Sequence, residues 1–265
     1  MSAWLFVPGH RPDRFDKALA AGAQAVIIDL EDAVAPPDKV AARESLSRWL
    51  AGTSARVVLR LNSADSEWFA DDLALVASPA VAAVMLPKAE SVDTLAVVAA
   101  QRPGVALVPL VESAAGFANL RAIAAAPGVQ RLAFGSIDFQ VDMGMRDATE
   151  DELLPFRAEF VLASRLGRIG APLDGVTVAI DDAARLQHDV QRARRLGFGG
   201  KLCIHPKQVA AVHAGFAPGA HELAWAERVL QAAAQAAGAA VAVDGKMVDK
   251  PVILRAEAIL RDAGR

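Results

Sequence analysis

The chain has 265 residues, of which 54% are hydrophobic and 22% charged, with a formal net charge of −3. That is the composition of a globular protein able to bury roughly 70–75% of its extended surface, which excludes a disordered chain. The charge and the lack of a basic stripe count against nucleic acid as a partner, and no apolar run approaches the ~20 residues that span a bilayer.

A single cysteine, Cys203, cannot form an internal disulfide, and no basic segment precedes an apolar one at the N-terminus. Both features predict a cytoplasmic protein. In chain order, apolar runs predict strands at 4–8 (WLFVP), 25–30 (AVIIDL), 56–61 (RVVLRL), 82–87 (AAVMLP), 105–111 (VALVPLV), 131–135 (RLAFG), 174–179 (DGVTVA) and 201–205 (KLCIH). Most are almost continuously apolar, as parallel strands buried on both faces are. Segments such as RPDRFDKALAAGA and AESVDTLAVVAAQRPG carry helical periodicity with Gly or Pro stops between them. Eight strand–helix units predict an α/β protein, a (β/α)8 TIM barrel over residues 1–215. The alternative is an open doubly wound sheet, which more often has a Gly-rich phosphate loop after its first strand; VPGHRP is not one. Residues 136–154 read as a long acidic connection after strand six, of a length that is usually functional or mobile. Residues 216–265 read as a C-terminal helical extension, part of the same domain. It has a helix near 218–237, a link containing DGKMVDKPV and a last helix near 251–263. The small residues and glycines of 236–245 make a candidate hinge.

In a parallel barrel the strand C-termini share one mouth, where active sites lie. Asp29, Glu31 and Asp32 follow strand two, Arg60 ends strand three, Lys88 follows strand four, Glu112 strand five, Asp138 strand six and His205 strand eight. Glu112 and Asp138 fall at equivalent places on successive strands. Two carboxylates converging there repel each other unless a cation or proton joins them. An all-oxygen ligand set favours Mg²⁺, which takes one or two carboxylates and completes its shell with water and substrate. The alternative is that each carboxylate caps the helix that follows. Arg60, flanked by apolar strand, needs a partner: Asp29 or Glu31, or else a substrate carboxylate or enolate oxygen. Lys88 reads either as a Schiff-base lysine or as a surface ion-pair lysine.

The segments LFVPGHRPDRFDKA, DLEDAVAPPDK, LRLNS, LPKAES, LVESAAG, FGSIDF, CIHPKQ and GKMVDKPV run in order from residue 5 to 252. Through them the chain resembles the citrate lyase β-subunit-like branch of the HpcH/HpaI aldolase superfamily. The resemblance implies a Mg²⁺-dependent carbon–carbon lyase that cleaves or forms a 3-hydroxyacyl-CoA by retro-Claisen or aldol chemistry. Its partners would be an acyl-CoA of the malyl, citramalyl or citryl kind and an α-keto acid. It implies Glu112 and Asp138 as metal ligands and Arg60 as the group that holds the substrate beside the breaking bond. Pro8, Gly9 and Lys88 become candidate substrate contacts, and Glu31 and Asp32 candidates for orienting metal-bound water. Asp249, in MVDKP, resembles a lid aspartate presented to a neighbouring subunit, which implies a homo-oligomer, a trimer or hexamer. Two departures keep alternatives open: MSAWLFVPG lacks the early arginine of many relatives, and Ile137 in GSID stands where many have an acid. The alternatives are a metal-dependent aldolase acting on free hydroxy-keto acids without CoA, and a non-catalytic regulatory barrel. Asp32 in DLEDAV, where pyruvate aldolases of the superfamily have histidine, counts against a histidine-based aldolase.

Overall fold

A computed structural model describes residues 2–236 and 241–264. The chain divides into two compact units, Met1–His213 and Ala214–Arg265.

The first unit is a closed eight-stranded parallel barrel ringed by helices. Its strands are β1 (Ala3–Pro8), β2 (Ala25–Asp29), β3 (Val57–Arg60), β4 (Val81–Leu86), β5 (Ala106–Val111), β6 (Ala133–Phe134), β7 (Leu173–Asp174) and β8 (Gly200–Cys203). The ring closes where Ala3, Trp4 and Leu5 of β1 pair with Lys201, Leu202 and Cys203 of β8. One buried cluster draws on all eight strands: Trp4, Ile27, Val58, Met85, Val108, Ala133, Leu173 and Leu202 are among its members. Side chains alternate between faces along a strand, so their neighbours Leu5, Ile28, Leu59, Val84 and Leu107 turn the other way. These are buried too. That double burial is why the strands read as unbroken apolar runs.

Register carries the barrel's geometry into its mouth. Pro8 pairs with Asp29, Asp29 with Arg60, and Val111 with Phe134. The acid that ends β2 and the base that ends β3 therefore stand side by side.

Two expectations change. The strand expected at 174–179 contracts to Leu173–Asp174. Asp174 is fully buried against Arg157, and Val178 and Ile180 beyond it lie exposed. Their β-branched side chains imitate a strand pattern in what is a connection. The connection expected over 136–154 opens instead with a helix, Ser136–Asp142, and only 143–153 is irregular.

In the second unit, helices Ala220–Ala236 and Lys250–Asp262 accompany an antiparallel hairpin, β9 (Val241–Val243) and β10 (Lys246–Val248). Ala226, Val229, Val248, Ala256 and Ile259 form its core. The expected link is thus a hairpin. Its turn is Asp244-Gly245, with φ +50° and +73°, the left-handed pair that a two-residue type I′ turn requires. Residues 237–240 of the candidate hinge lie outside the described residues. Among the described residues no helix is long and apolar enough to cross a membrane.

Candidate active site

The mouth is built on two pairs of strand ends. At the first, Asp29 folds the chain over itself: its Oδ1 and Oδ2 accept the backbone N–H of Glu31 at 2.8 Å and of Ala33 at 3.1 Å. The same two oxygens accept Arg60 Nε at 2.7 Å and Nη2 at 2.6 Å. This fork-to-fork geometry is one that only arginine offers a carboxylate. The remaining arm, Nη1, lies 2.9 Å from Glu31 Oε2 and 3.4 Å from Asp32 Oδ2. The guanidinium also lies 4.8 Å from the centre of the Phe6 ring. Burial opposes its charge, but Asp29, then Glu31 and Asp32, raise its pKa above the ordinary arginine value. Both readings of Arg60 therefore meet in one residue: it is the partner of Asp29, and it lines the mouth.

Lys39 fastens this pair from behind. Its buried ammonium donates to the carbonyls of Leu30 (2.8 Å) and Glu31 (2.7 Å) and to Asn62 Oδ1. Asn62 in turn is held by Asp72. One cation thus ties the loop after β2 to the loop after β3. Sequence reasoning missed it; the signal was a lysine in the first turn of a helix, Lys39–Gly52, ten residues after an acidic strand end, Asp29.

At the second pair, neither carboxylate caps a helix. Ser113, not Glu112, is the N-cap of Ala114–Ala118, accepting the N–H of Gly116. The helix Ser136–Asp142 starts from Gly135, and Asp138 sits inside its first turn. Glu112 is buried, and its Oε1 accepts the backbone N–H of Lys88 at 2.8 Å. A Cβ on Gly135 would stand 2.3 Å from Glu112 Oε2. Glycine at 135 therefore makes the room that the carboxylate occupies, beside the turn bearing Asp138. Asp138 is exposed, and among the described residues it has no hydrogen bond or ion pair. Asp142, at the end of the second helix, reaches the start of the first, accepting the N–H of Ala114 at 2.6 Å.

Five carboxyl groups thus gather around one guanidinium. The electrostatics register the excess. Burial first, then repulsion from Glu112, Asp32 and Asp29, raises Glu31 from 4.5 to about 8 against the pull of Arg60. Burial first, then Asp138 and Asp32, raises Glu112 to about 7 against the Lys88 N–H and Arg60. A hard divalent cation relieves such a site. Glu112 and Asp138 fit one: both are oxygen donors at successive strand ends, and neither is spent on a cap. Among the described residues no group of three such side chains is placed to hold a metal; Mg²⁺ needs no more than one or two carboxylates, with water and substrate for the rest of its shell.

A cavity of about 360 Å³ joins the two pairs, lined by Pro8, Asp32, Arg60, Glu112, Ser136 and Asp138 among others. Phe6, Leu110, Phe134, Val176 and Leu202 are its apolar walls. Of the residues singled out by sequence, Pro8, Asp29, Asp32, Arg60, Glu112 and Asp138 share this cavity. Glu31 touches Arg60 from outside it, and Gly9 donates its N–H to the Asp29 carbonyl at 2.7 Å. Lys88 enters only through its backbone, which turns at φ +44° to present the N–H to Glu112. Asp249 lies in the second unit, where its side chain caps Lys250–Asp262 by accepting the N–H of Val252. His205 accepts the N–H of Lys207 through Nδ1. A larger cavity of about 710 Å³ in the second unit is lined by Trp225, Arg228 and Arg255, and by none of these candidates.

Comparison with known proteins agrees with the barrel fold. Residues 2–206 match the family model described as HpcH/HpaI aldolase/citrate lyase. A citrate lyase subunit beta-like protein of Mycobacterium tuberculosis is 39% identical over 98% of this chain and 95% of its own. A (3S)-malyl-CoA thioesterase of Cereibacter sphaeroides is 33% identical over 98% of this chain and 93% of its own. The crystal structure of CitE from Mycobacterium tuberculosis in complex with magnesium, acetoacetate and coenzyme A superposes with a TM-score of 0.88. The two are 37% identical, covering 100% of this chain and 98% of that one.

Proposed function

Because this chain belongs to the HpcH/HpaI aldolase/citrate lyase family, we propose that it is a Mg²⁺-dependent carbon–carbon lyase. It cleaves or forms a 3-hydroxyacyl-CoA thioester of the malyl, citramalyl or citryl kind, with an acyl-CoA and an α-keto acid as the other partners. The observation that carries the reading is the pair Glu112 and Asp138, uncommitted to helix caps and facing Arg60 across one cavity. The crystallised relative that holds magnesium, acetoacetate and coenzyme A supports it.

Glu112 and Asp138 would hold a magnesium ion, which would supply Lewis acidity and offset the negative charge of the mouth. The chain's own residues do the rest. Asp29 takes two arms of Arg60 and so aims the third, Nη1, where charge develops on an enolate or carboxylate oxygen. Glu31, which burial raises to about 8, lies beside that arm and is the group there able to hold a proton near neutrality. Asp32 orients water at the rim, and the apolar walls keep bulk water from the carbon that becomes carbanionic. Pro8 contacts the substrate at the rim, whereas Gly9 and Lys88 act through their backbones. Asp249, from a neighbouring subunit of a trimer or hexamer, delivers the proton to the enolate carbon. The match of MVDKP to the family's lid supports that role.

One relative favours a second reading, thioester hydrolysis. A panel of hydroxyacyl-CoA thioesters, incubated with Mg²⁺ and assayed for both α-keto acid and free thiol, tests both. Keto acid without thiol is the lyase. Thiol without keto acid is the thioesterase. Keto acid from free hydroxy-keto acids alone would replace both with a CoA-independent aldolase.

A further inference from the structure

Beside the mouth lies a second polar cavity, about 390 Å³ in volume, which shares Ser136, Ile137 and Val176 with it. Three arginines line it: Arg157 from helix Leu154–Leu166, and Arg185 and Arg192 from helix Ala183–Leu196. All three converge on one carboxylate. Arg157 Nη1 lies 2.6 Å and Arg192 Nη2 3.1 Å from Glu150 Oε2, and Arg185 Nη2 lies 2.7 Å from Oε1.

The acids here are not equivalent. Asp174 is in β7 and fully buried, accepting Arg157 Nε at 2.8 Å. Asp189 is buried on the Ala183–Leu196 helix, accepting Arg192 Nη1 at 2.9 Å and the Thr177 hydroxyl at 2.7 Å. Neither can leave without breaking a regular element. Glu150 alone comes from the irregular connection 143–153. Nor does it satisfy the cluster: Arg192 Nε is buried without an acceptor, and Asp174 Oδ2, 3.8 Å from Arg192 Nη2, is buried without a donor. Unpaired buried groups are costly, so the network around Glu150 is incompletely satisfied.

We propose that Arg157, Arg185 and Arg192 form a carboxylate-binding subsite, which Glu150 fills in this structure and from which a small dicarboxylic acid displaces it. The exchange is like for like, because one carboxylate replaces another on the same guanidinium arms. The penalty of leaving buried arginines unpaired is therefore never met. A second carboxylate engages the half-exposed Arg185, and the cavity has room for it. Displacement frees the connection 143–153, which adjoins the wall of the mouth. The proposal does not depend on the reaction assigned to the mouth.

Hydrogen exchange on the wild-type chain tests it, with succinate as the probe, EDTA present to keep the mouth free of metal, and chloride at equal ionic strength as the control. Succinate should speed exchange in residues 148–153 by about tenfold or more while raising Tm, because the segment is released as the ligand binds. Chloride should do neither. In a second arm, Glu150→Ala should lower Tm, and acetate or succinate should restore it. The double variant Glu150→Ala/Arg185→Ala should lose that restoration; Arg185 is half-exposed, so its removal leaves the fold. Exchange in 148–153 that succinate leaves unmoved would overturn the proposal. So would a Glu150→Ala chain that responds to succinate and chloride alike.

Discussion

The crowding of acids in the mouth makes a prediction about stability that needs no substrate. In the metal-free protein Glu112 is raised from 4.5 to about 7 and Glu31 from 4.5 to about 8. A carboxyl whose pKa is higher in the fold than in the unfolded chain binds more protons when folded. Its contribution is therefore full below pH 4.5 and is lost as pH rises through the folded value. For Glu112 the gap between 4.5 and about 7 corresponds to about 3 kcal/mol. The group is buried, so solvent screening does not discount it. In EDTA, urea denaturation should show stability falling between about pH 5 and pH 8. Glu112→Gln keeps an oxygen for the Lys88 N–H but carries no charge. It should flatten part of that slope and, at pH 8, exceed the wild type by about 1–3 kcal/mol. Mg²⁺ should stabilise the wild type at pH 8 far more than at pH 6, where a proton competes for Glu112, and should leave Glu112→Gln unmoved. Wild-type stability that is flat or rising across this range in EDTA would refute the reasoning. So would a Glu112→Gln protein no more stable than wild type at pH 8.

Three further substitutions probe the parts separately. Arg60→Lys keeps a charge but cannot engage both Asp29 oxygens; turnover should fall by about 10²-fold or more, and denaturation should show a loss of about 1–3 kcal/mol. Gly135→Ala drives a methyl into Glu112 Oε2. The fold should lose about 1–3 kcal/mol, and isothermal titration should show Mg²⁺ binding weakened at least as much as in Asp138→Asn. Asp249→Asn preserves the helix cap, which asparagine makes as well as aspartate, and so separates capping from catalysis. It should retain Tm and Mg²⁺ binding yet lose most turnover, and co-expression with Glu112→Gln should recover part of it through mixed subunits.

The barrel was legible in the sequence because its strands are buried on both faces, and that burial writes near-continuous apolar runs such as AVIID and ALVPLV into the chain. Parallel strands end at one mouth, so Arg60, Glu112 and Asp138 could be placed together by counting alone. Periodicity failed where residues of strand character serve another purpose. Val176 walls the mouth and Val178 is exposed, so β7 is shorter than its pattern. The hairpin at Asp244-Gly245 carries its turn signal openly, but strands of three residues are too short to stand out from a link. Tertiary structure alone decided which neighbour each charge meets. Strand register sets Asp29 beside Arg60 across 31 residues, so two arms of the fork are fixed on Asp29 before any substrate arrives, and the third faces Glu31 and Asp32. Ser113 takes the cap and leaves Glu112 free, and the backbone of Lys88, not its ammonium, holds it. Lys39 binds two site loops, and Glu150 reaches three arginines on two helices. Local propensity specifies the elements, but the partner of a buried charge lies tens of residues away. Only closure of the barrel fixes which one it is, because desolvation makes a buried charge without a partner costly.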